Sequence, residues 1–290
     1  MDDLRTGRVT ANGVDFAYLE AGAGPLALCL HGFPDSAWTW RHVLPALAGA
    51  GLHAVAPFMR GYAPTQVPPD GRYQTGALTA DAVALHNALG GDRDAVLIGH
   101  DWGAMAAYGA AAHAPDRWRR VVTAAVPPLA AMGNAFFDYA QIKRSFYMFF
   151  FQLPFAEMAV SLNDLAFIDG LWADWSPGYN GKEDVAHVKD CLRDAPNLEA
   201  AIGYYRAMFD ASKHDPALAA EQAATTQVPP QPTLYLHGTT DGCLAAELAD
   251  GAGALLGPQS AVRLVKGAGH FLQVEKPDKV NGAIVEWVKG

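Results

Sequence analysis

Short apolar runs alternate with longer helical patterns along the first part of the chain. Val14–Glu20 alternates apolar and polar positions and Leu26–Leu30 is continuously apolar, the patterns of a half-covered strand and of one covered on both faces. A helix is expected over Ala37–Gly49, then a strand at His53–Pro57, a helix at Gly76–Leu89, a strand at Ala95–Ile98, a helix at Ala104–His113 and a strand at Arg120–Ala125. That alternation predicts an α/β fold with a mainly parallel sheet and right-handed crossovers. The rhythm stops at Val126-Pro127-Pro128 and gives way to an aromatic-rich stretch of helical patterning. It resumes only after Val228-Pro229-Pro230-Gln231-Pro232, with a strand at Thr233–His237, a helix at Leu244–Leu256, a strand at Ala261–Val265 and a helix at Val274–Lys289. The expected organisation is a doubly wound core in two parts, residues 1–128 and 229–290, interrupted by a helical cap at 129–228. Ligands in such sheets bind beyond the carboxyl ends of the strands, the edge that a cap would close.

Composition narrows the function classes. The chain has 290 residues, 51% hydrophobic and 18% charged, enough to bury a large interior without staples. A formal charge of −9 disfavours binding to the phosphate backbone of nucleic acids. Cys29, Cys191 and Cys243 lie far apart with no CxxC pair, so neither a disulfide framework nor a thiolate zinc site is expected. The start, MDDLRTGRVT, lacks the basic and apolar regions of a signal peptide. The most apolar stretch, Phe146–Val160, is interrupted by Gln152, Pro154 and Glu157 and is too short to span a bilayer. A cytoplasmic protein without nucleic-acid or membrane partners is the expectation, and self-association into a homodimer stays open.

The chemistry concentrates at the ends of strands. Gly99-His100-Asp101-Trp102-Gly103 follows the strand Ala95–Ile98 and opens a small-residue helix, the pattern of a nucleophile elbow with aspartate where serine is usual. In isolation Asp101 would read as a helix-capping residue. As a nucleophile, a carboxylate attacks an electrophilic alkyl carbon and leaves an ester whose acyl half is the enzyme's own. His270, between the last strand and the last helix, is placed to activate water, and Asp241, after the preceding strand, to orient that imidazole. The order nucleophile, acid, histidine is the one this kind of fold requires. The backbone N–H groups of Phe33, in His31-Gly32-Phe33-Pro34, and of Trp102 would form an oxyanion hole. His31 and His100 read as structural residues of their turns.

These residues resemble the epoxide hydrolases of the α/β-hydrolase superfamily, relatives of the haloalkane and fluoroacetate dehalogenases, over nearly the whole chain. The His31-Gly32-Phe33-Pro34 segment with Trp38 and Trp40, the Arg60-Gly61-Tyr62 loop and the elbow carry the core part of the likeness. In the cap, Tyr147 stands four residues before Phe151-Gln152-Leu153-Pro154, and Tyr204-Tyr205-Arg206-Ala207-Met208 resembles the segment with a second tyrosine. The resemblance implies a mostly parallel eight-stranded sheet flanked by helices. It also implies opening of epoxides to vicinal diols through an Asp101 ester, with Tyr147 and Tyr205 gripping the epoxide oxygen. Tyr204 is the nearest rival to Tyr205. Phenols stay protonated at neutral pH and so can donate to a leaving alkoxide. Phe33, Trp102, Phe151 and Phe271 would contact a small apolar or aromatic epoxide, with no cofactor and no metal. The chain departs from the family at Phe58, where Asp is usual, and at Ala63 and Phe155, where Gly is usual. These departures imply a differently anchored Arg60 loop and a differently shaped cap turn. The alternatives are a dehalogenase using the same Asp101, for which Phe33 stands where a second halide donor is often Asn, and a hydrolase-fold protein that only binds.

Overall fold

Asn12 and Gly13 both adopt positive φ, 47° and 73°, and turn the chain through a two-residue hairpin that pairs Ala11 with Val14. The computed structural model describes residues 4–290 and contains one eight-stranded sheet. Its strands are β1 (Arg5–Ala11), β2 (Val14–Ala21), β3 (Leu26–Leu30), β4 (His53–Pro57), β5 (Val96–His100), β6 (Arg120–Ala124), β7 (Thr233–Gly238) and β8 (Ala261–Val265). They lie in the order β1-β2-β4-β3-β5-β6-β7-β8, antiparallel across β1/β2 and β2/β4 and parallel elsewhere. β3, β5 and β7 are buried along their whole lengths, as continuously apolar sequence requires in a sheet covered on both faces.

β1 was not expected. Its sequence, RTGRVTA, exposes polar side chains on an edge strand, so it lacks an apolar run. Three expected helices are also shorter or divided. Ala37–Gly49 splits into a 3₁₀ turn at Ala37–Trp40 and a helix at Val43–Gly49, and Pro277 divides the last helix into Leu272–Glu275 and Pro277–Lys289. Leu244–Leu256 holds only Ala246–Ala249 and Ala252–Leu255, in a stretch where Gly251 and Gly253 weaken helical propensity.

The order of strands places the chemistry. The chain leaves β3 toward β4 on one side, and β5 pairs with β3 on the other, with Leu30 opposite Gly99. The crevice beyond the carboxyl ends of β3 and β5 is therefore a switch point of the sheet, where such folds bind ligands.

Between β6 and β7 every regular element is helical, including Leu129–Met132, Phe146–Phe150, Ala156–Trp175, Lys182–Leu192 and Ala195–Phe209. This insertion is fastened to the loops at the carboxyl edge of the sheet. Trp172 Nε1 donates to Pro34 O at 2.8 Å, Asn197 Nδ2 to Gly61 O at 2.7 Å and Tyr204 Oη to Arg60 O at 2.8 Å, while Arg41 pairs with Asp184 in a buried ion pair. The Arg60 loop is itself anchored from below. The fully buried guanidinium grips Asp81 with Nε to Oδ2 at 2.5 Å and Nη2 to Oδ1 at 2.8 Å. Among the described residues no helix is long and apolar enough to cross a membrane.

Candidate active site

The elbow is dictated by close backbone approach. A Cβ on Gly99 would meet Gly103 O at 2.1 Å, and one on Gly103 would meet Leu30 O at 2.1 Å, so neither position admits a side chain. Between them Asp101 takes φ 53° and ψ −120°, a sparsely populated region that costs about 1–3 kcal/mol and holds the carboxylate up at the switch point. Gly32 brings the neighbouring loop against it, since a Cβ there would lie 2.1 Å from Asp101 Oδ1. That approach lets Phe33 N–H donate to Asp101 Oδ1 at 2.7 Å. Trp102 is the first residue of the helix Trp102–His113, so its N–H has no acceptor within that helix.

On the other side stands His270, fully buried, whose Nδ1 lies 2.9 Å from Asp241 Oδ2 and whose Nε2 lies 3.6 Å from Asp101 Oδ2. Nε2 has no hydrogen-bond partner among the described residues. Burial pulls the imidazolium down, but the carboxylates of Asp241 and Asp101 on either side outweigh it and raise its pKa to about 10. Asp241 is likewise buried, which works against its charge. Its pairing with His270 and N–H bonds from Cys243 at 2.7 Å and Leu244 at 3.0 Å nevertheless hold it below the usual carboxylate range. His31 and His100 behave as turn residues. His31 Nδ1 lies 2.9 Å from Gly32 O and its Nε2 accepts from Met59 N–H at 2.9 Å, and His100 Nε2 lies 2.9 Å from His270 O. Burial lowers both, to about 4 and about 3.

Tyr147 and Tyr205 converge above the carboxylate with ring centroids 5.4 Å apart, and both line one cavity with Asp101 and Trp102. Tyr205 Oη has no partner among the described residues, and Tyr147 Oη lies only against Cys243 Sγ at 3.5 Å. Burial pushes both phenols well above 10, with the nearby Asp101 charge adding to the rise. Tyr204 is excluded from this arrangement because its hydroxyl is committed to Arg60 O.

The cavity has a volume of about 60 Å³. Of Phe33, Trp102, Phe151 and Phe271, only Trp102 lines it. Phe33 and Phe151 are fully buried behind the tyrosines, Phe33 packing on Tyr205 at 5.3 Å and Phe151 on Tyr147 at 5.7 Å between centroids. Phe271 stacks on Trp172 at 3.5 Å. The lining that sequence reasoning missed is aliphatic and sulfur-bearing: Met105, Leu129, Met132, Met148, Met208, Cys243 and Leu244. Met208 lies one helical turn after Tyr205 and Cys243 two residues after Asp241, spacings that were available as a signal. No group of three or more His, Cys, Asp or Glu side chains is placed to hold a metal among the described residues.

Comparison with known proteins identifies the fold and the family. Residues 25–277 match the family described as alpha/beta hydrolase fold. Epoxide hydrolase A of Mycobacterium tuberculosis is 32% identical over 97% of this chain and 96% of its own length. Epoxide hydrolase 4 of Mus musculus is 30% identical over 97% of this chain and 78% of its own. Among solved structures, an epoxide hydrolase from an endophytic Streptomyces superposes with a TM-score of 0.82 at 27% identity, covering 100% of this chain and 96% of that one. The chain belongs to the α/β-hydrolase fold family, among relatives that carry the name epoxide hydrolase.

Proposed function

We propose that this protein opens epoxides to vicinal diols through a covalent ester on Asp101. The observation that carries the reading is the pair of buried phenols, one without a hydrogen-bond partner among the described residues and one bonded only to a sulfur, facing the cavity that also holds the Asp101 carboxylate. Asp101 Oδ2 attacks an epoxide carbon, the ring C–O bond breaks, and the oxygen leaves as an alkoxide that takes a proton from Tyr147 or Tyr205. Oδ1 becomes the ester carbonyl oxygen, already held by Phe33 N–H.

Ester formation removes the Asp101 charge that helps hold a proton on His270. The imidazolium therefore gives up its proton and is left neutral, while the phenolate left by ring opening takes up a proton in its place. His270 Nε2 then takes a proton from water as the hydroxide adds to Asp101 Cγ. The oxyanion forms on Oδ1, where Phe33 and Trp102 N–H groups stabilise it. Collapse breaks the Cγ–Oδ2 bond, and the leaving alkoxide takes the proton of the newly added hydroxyl, which releases the diol carrying Oδ2 and leaves the Asp101 carboxylate and the His270 imidazolium.

A dehalogenase would need two N–H donors on the leaving halide. Trp102 offers an indole N–H without a partner among the described residues, but Phe33, in the second place, is packing. Parallel assays with styrene oxide and 1-bromobutane test the choice: diol from the first and little halide from the second is expected, and faster halide release would overturn it. A cytoplasmic location remains part of the proposal.

A further inference from the structure

The cavity over Asp101 is lined by thirteen residues, of which Met105, Met132, Met148 and Met208 are four, out of seven methionines in the whole chain. At the chain-wide frequency of seven in 290, a lining of that size would hold fewer than one. Each comes from a different helix: Trp102–His113, Leu129–Met132, Phe146–Phe150 and Ala195–Phe209. Two lie deep, Met105 and Met148 each being 5% exposed, and two lie toward solvent, Met132 half-buried and Met208 40% exposed. Cys243 adds a fifth sulfur at the base. Of the remaining methionines in the described residues, Met59 is buried in the turn after β4 and Met158 is 63% exposed, away from the lining.

Unbranched thioether side chains have three rotatable bonds and polarizable sulfur, so a wall of them reshapes around guests of different outline at small cost in packing. Branched aliphatic walls hold one shape because their rotamers are few. Apart from Asp101 and the two phenols, the lining offers no charged group and little polar surface. We infer that the four methionines form an adaptable pocket wall that admits uncharged, apolar epoxides of unlike shape, linear alkyl as well as aryl. The polar triad and phenols stay fixed while the methionines do the fitting. This inference rests on the epoxide reading for its substrate class, whereas the adaptability of the wall does not.

Two measurements on the full-length protein test it separately. With 13C-methyl methionine labelling, assigned through single Met→Leu variants, benzyl alcohol and 1-hexanol should each shift the resonances of Met105, Met132, Met148 and Met208, with different patterns for the two probes, and leave Met59 and Met158 in place. Unmoved resonances, or identical patterns for both probes, would overturn the inference. In turnover, kcat/KM for styrene oxide and for 1,2-epoxyhexane should lie within about tenfold of each other, and the double variant M105I/M148I should change that ratio by at least tenfold. If that variant does not fold, M132I/M208I at the more exposed end carries the same test. A ratio unchanged in a folded variant would overturn the inference. Absence of diol from both epoxides, with the methyl shifts present, would overturn the epoxide reading and support the adaptable wall.

Discussion

Phe33 N–H donates to Asp101 Oδ1 at 2.7 Å in the resting protein, so one oxygen of the carboxylate is held and only Oδ2 faces His270. The two oxygens are therefore unequal before any substrate arrives. In the proposed ester route the held oxygen would become the ester carbonyl and the other would form the bond to carbon, so alkylation would need no rearrangement of the loop after β3.

Replacing His270 should separate the two half-reactions. His270→Gln removes the nitrogen proposed to activate water but leaves Asp101, Phe33 and the phenols in place. Incubation with styrene oxide should raise the intact-protein mass by one epoxide, and the adduct should persist for hours. Unmodified protein after long incubation would contradict the assignment of His270 to the second step.

The adjacent tyrosines should behave oppositely. Tyr205→Phe deletes the unpartnered hydroxyl in the cavity and should slow pre-steady-state alkylation by about a hundredfold, the usual scale for loss of one charge-stabilising donor. Tyr204→Phe deletes a donor to Arg60 O instead and should cost about 1 kcal/mol of stability in urea unfolding while alkylation stays within about threefold. Equal effects of the two on alkylation would refute the division of roles.

The raised pKa of His270 makes stability depend on pH in a defined direction. A histidine whose folded-state value, about 10, lies above its unfolded value near 6.5 contributes stability fully below pH 6.5 and loses it as pH rises toward 10. The difference in thermal midpoint between wild type and His270→Gln should therefore shrink from pH 6.5 to pH 10. A difference that grew over that range would contradict the charged pairing of His270 with Asp241 and Asp101.

The loop carrying Arg60 supports the site from below. Asp81→Asn would take the bidentate carboxylate from a fully buried guanidinium, leaving only Asp70 at 3.5 Å, and should cost about 3–5 kcal/mol in urea unfolding. A loss under about 1 kcal/mol would show that the pair does not anchor this loop.

Much of this was legible in the residues. β3, β4 and β8 fall where their apolar runs predict, and the strands carrying the elbow and the two later loops are displaced by at most two residues. Asp101, Asp241 and His270 could be placed because each lies within five residues of the carboxyl end of a strand, and parallel topology brings all such ends to one edge. β1 was missed because an edge strand needs no apolar run, although Asn12-Gly13 signalled its hairpin. The choice between Tyr204 and Tyr205 depends on helical phase, a rotation of about 100° between neighbours that two consecutive identical residues cannot reveal. For the same reason the methionine lining, drawn from four helices, emerges only once those helices are packed. Phe33, Phe151 and Phe271 were plausible contacts by type, but their rings are spent on packing behind the phenols and against Trp172.

The central claim is that water attacks the Asp101 ester and not the substrate carbon. A single turnover of excess enzyme with styrene oxide in heavy-oxygen water, followed by mass analysis of the diol and of the peptide containing Asp101, tests it most directly. The account predicts unlabelled diol and one heavy oxygen in Asp101. Label in the diol with an unlabelled Asp101 would contradict it.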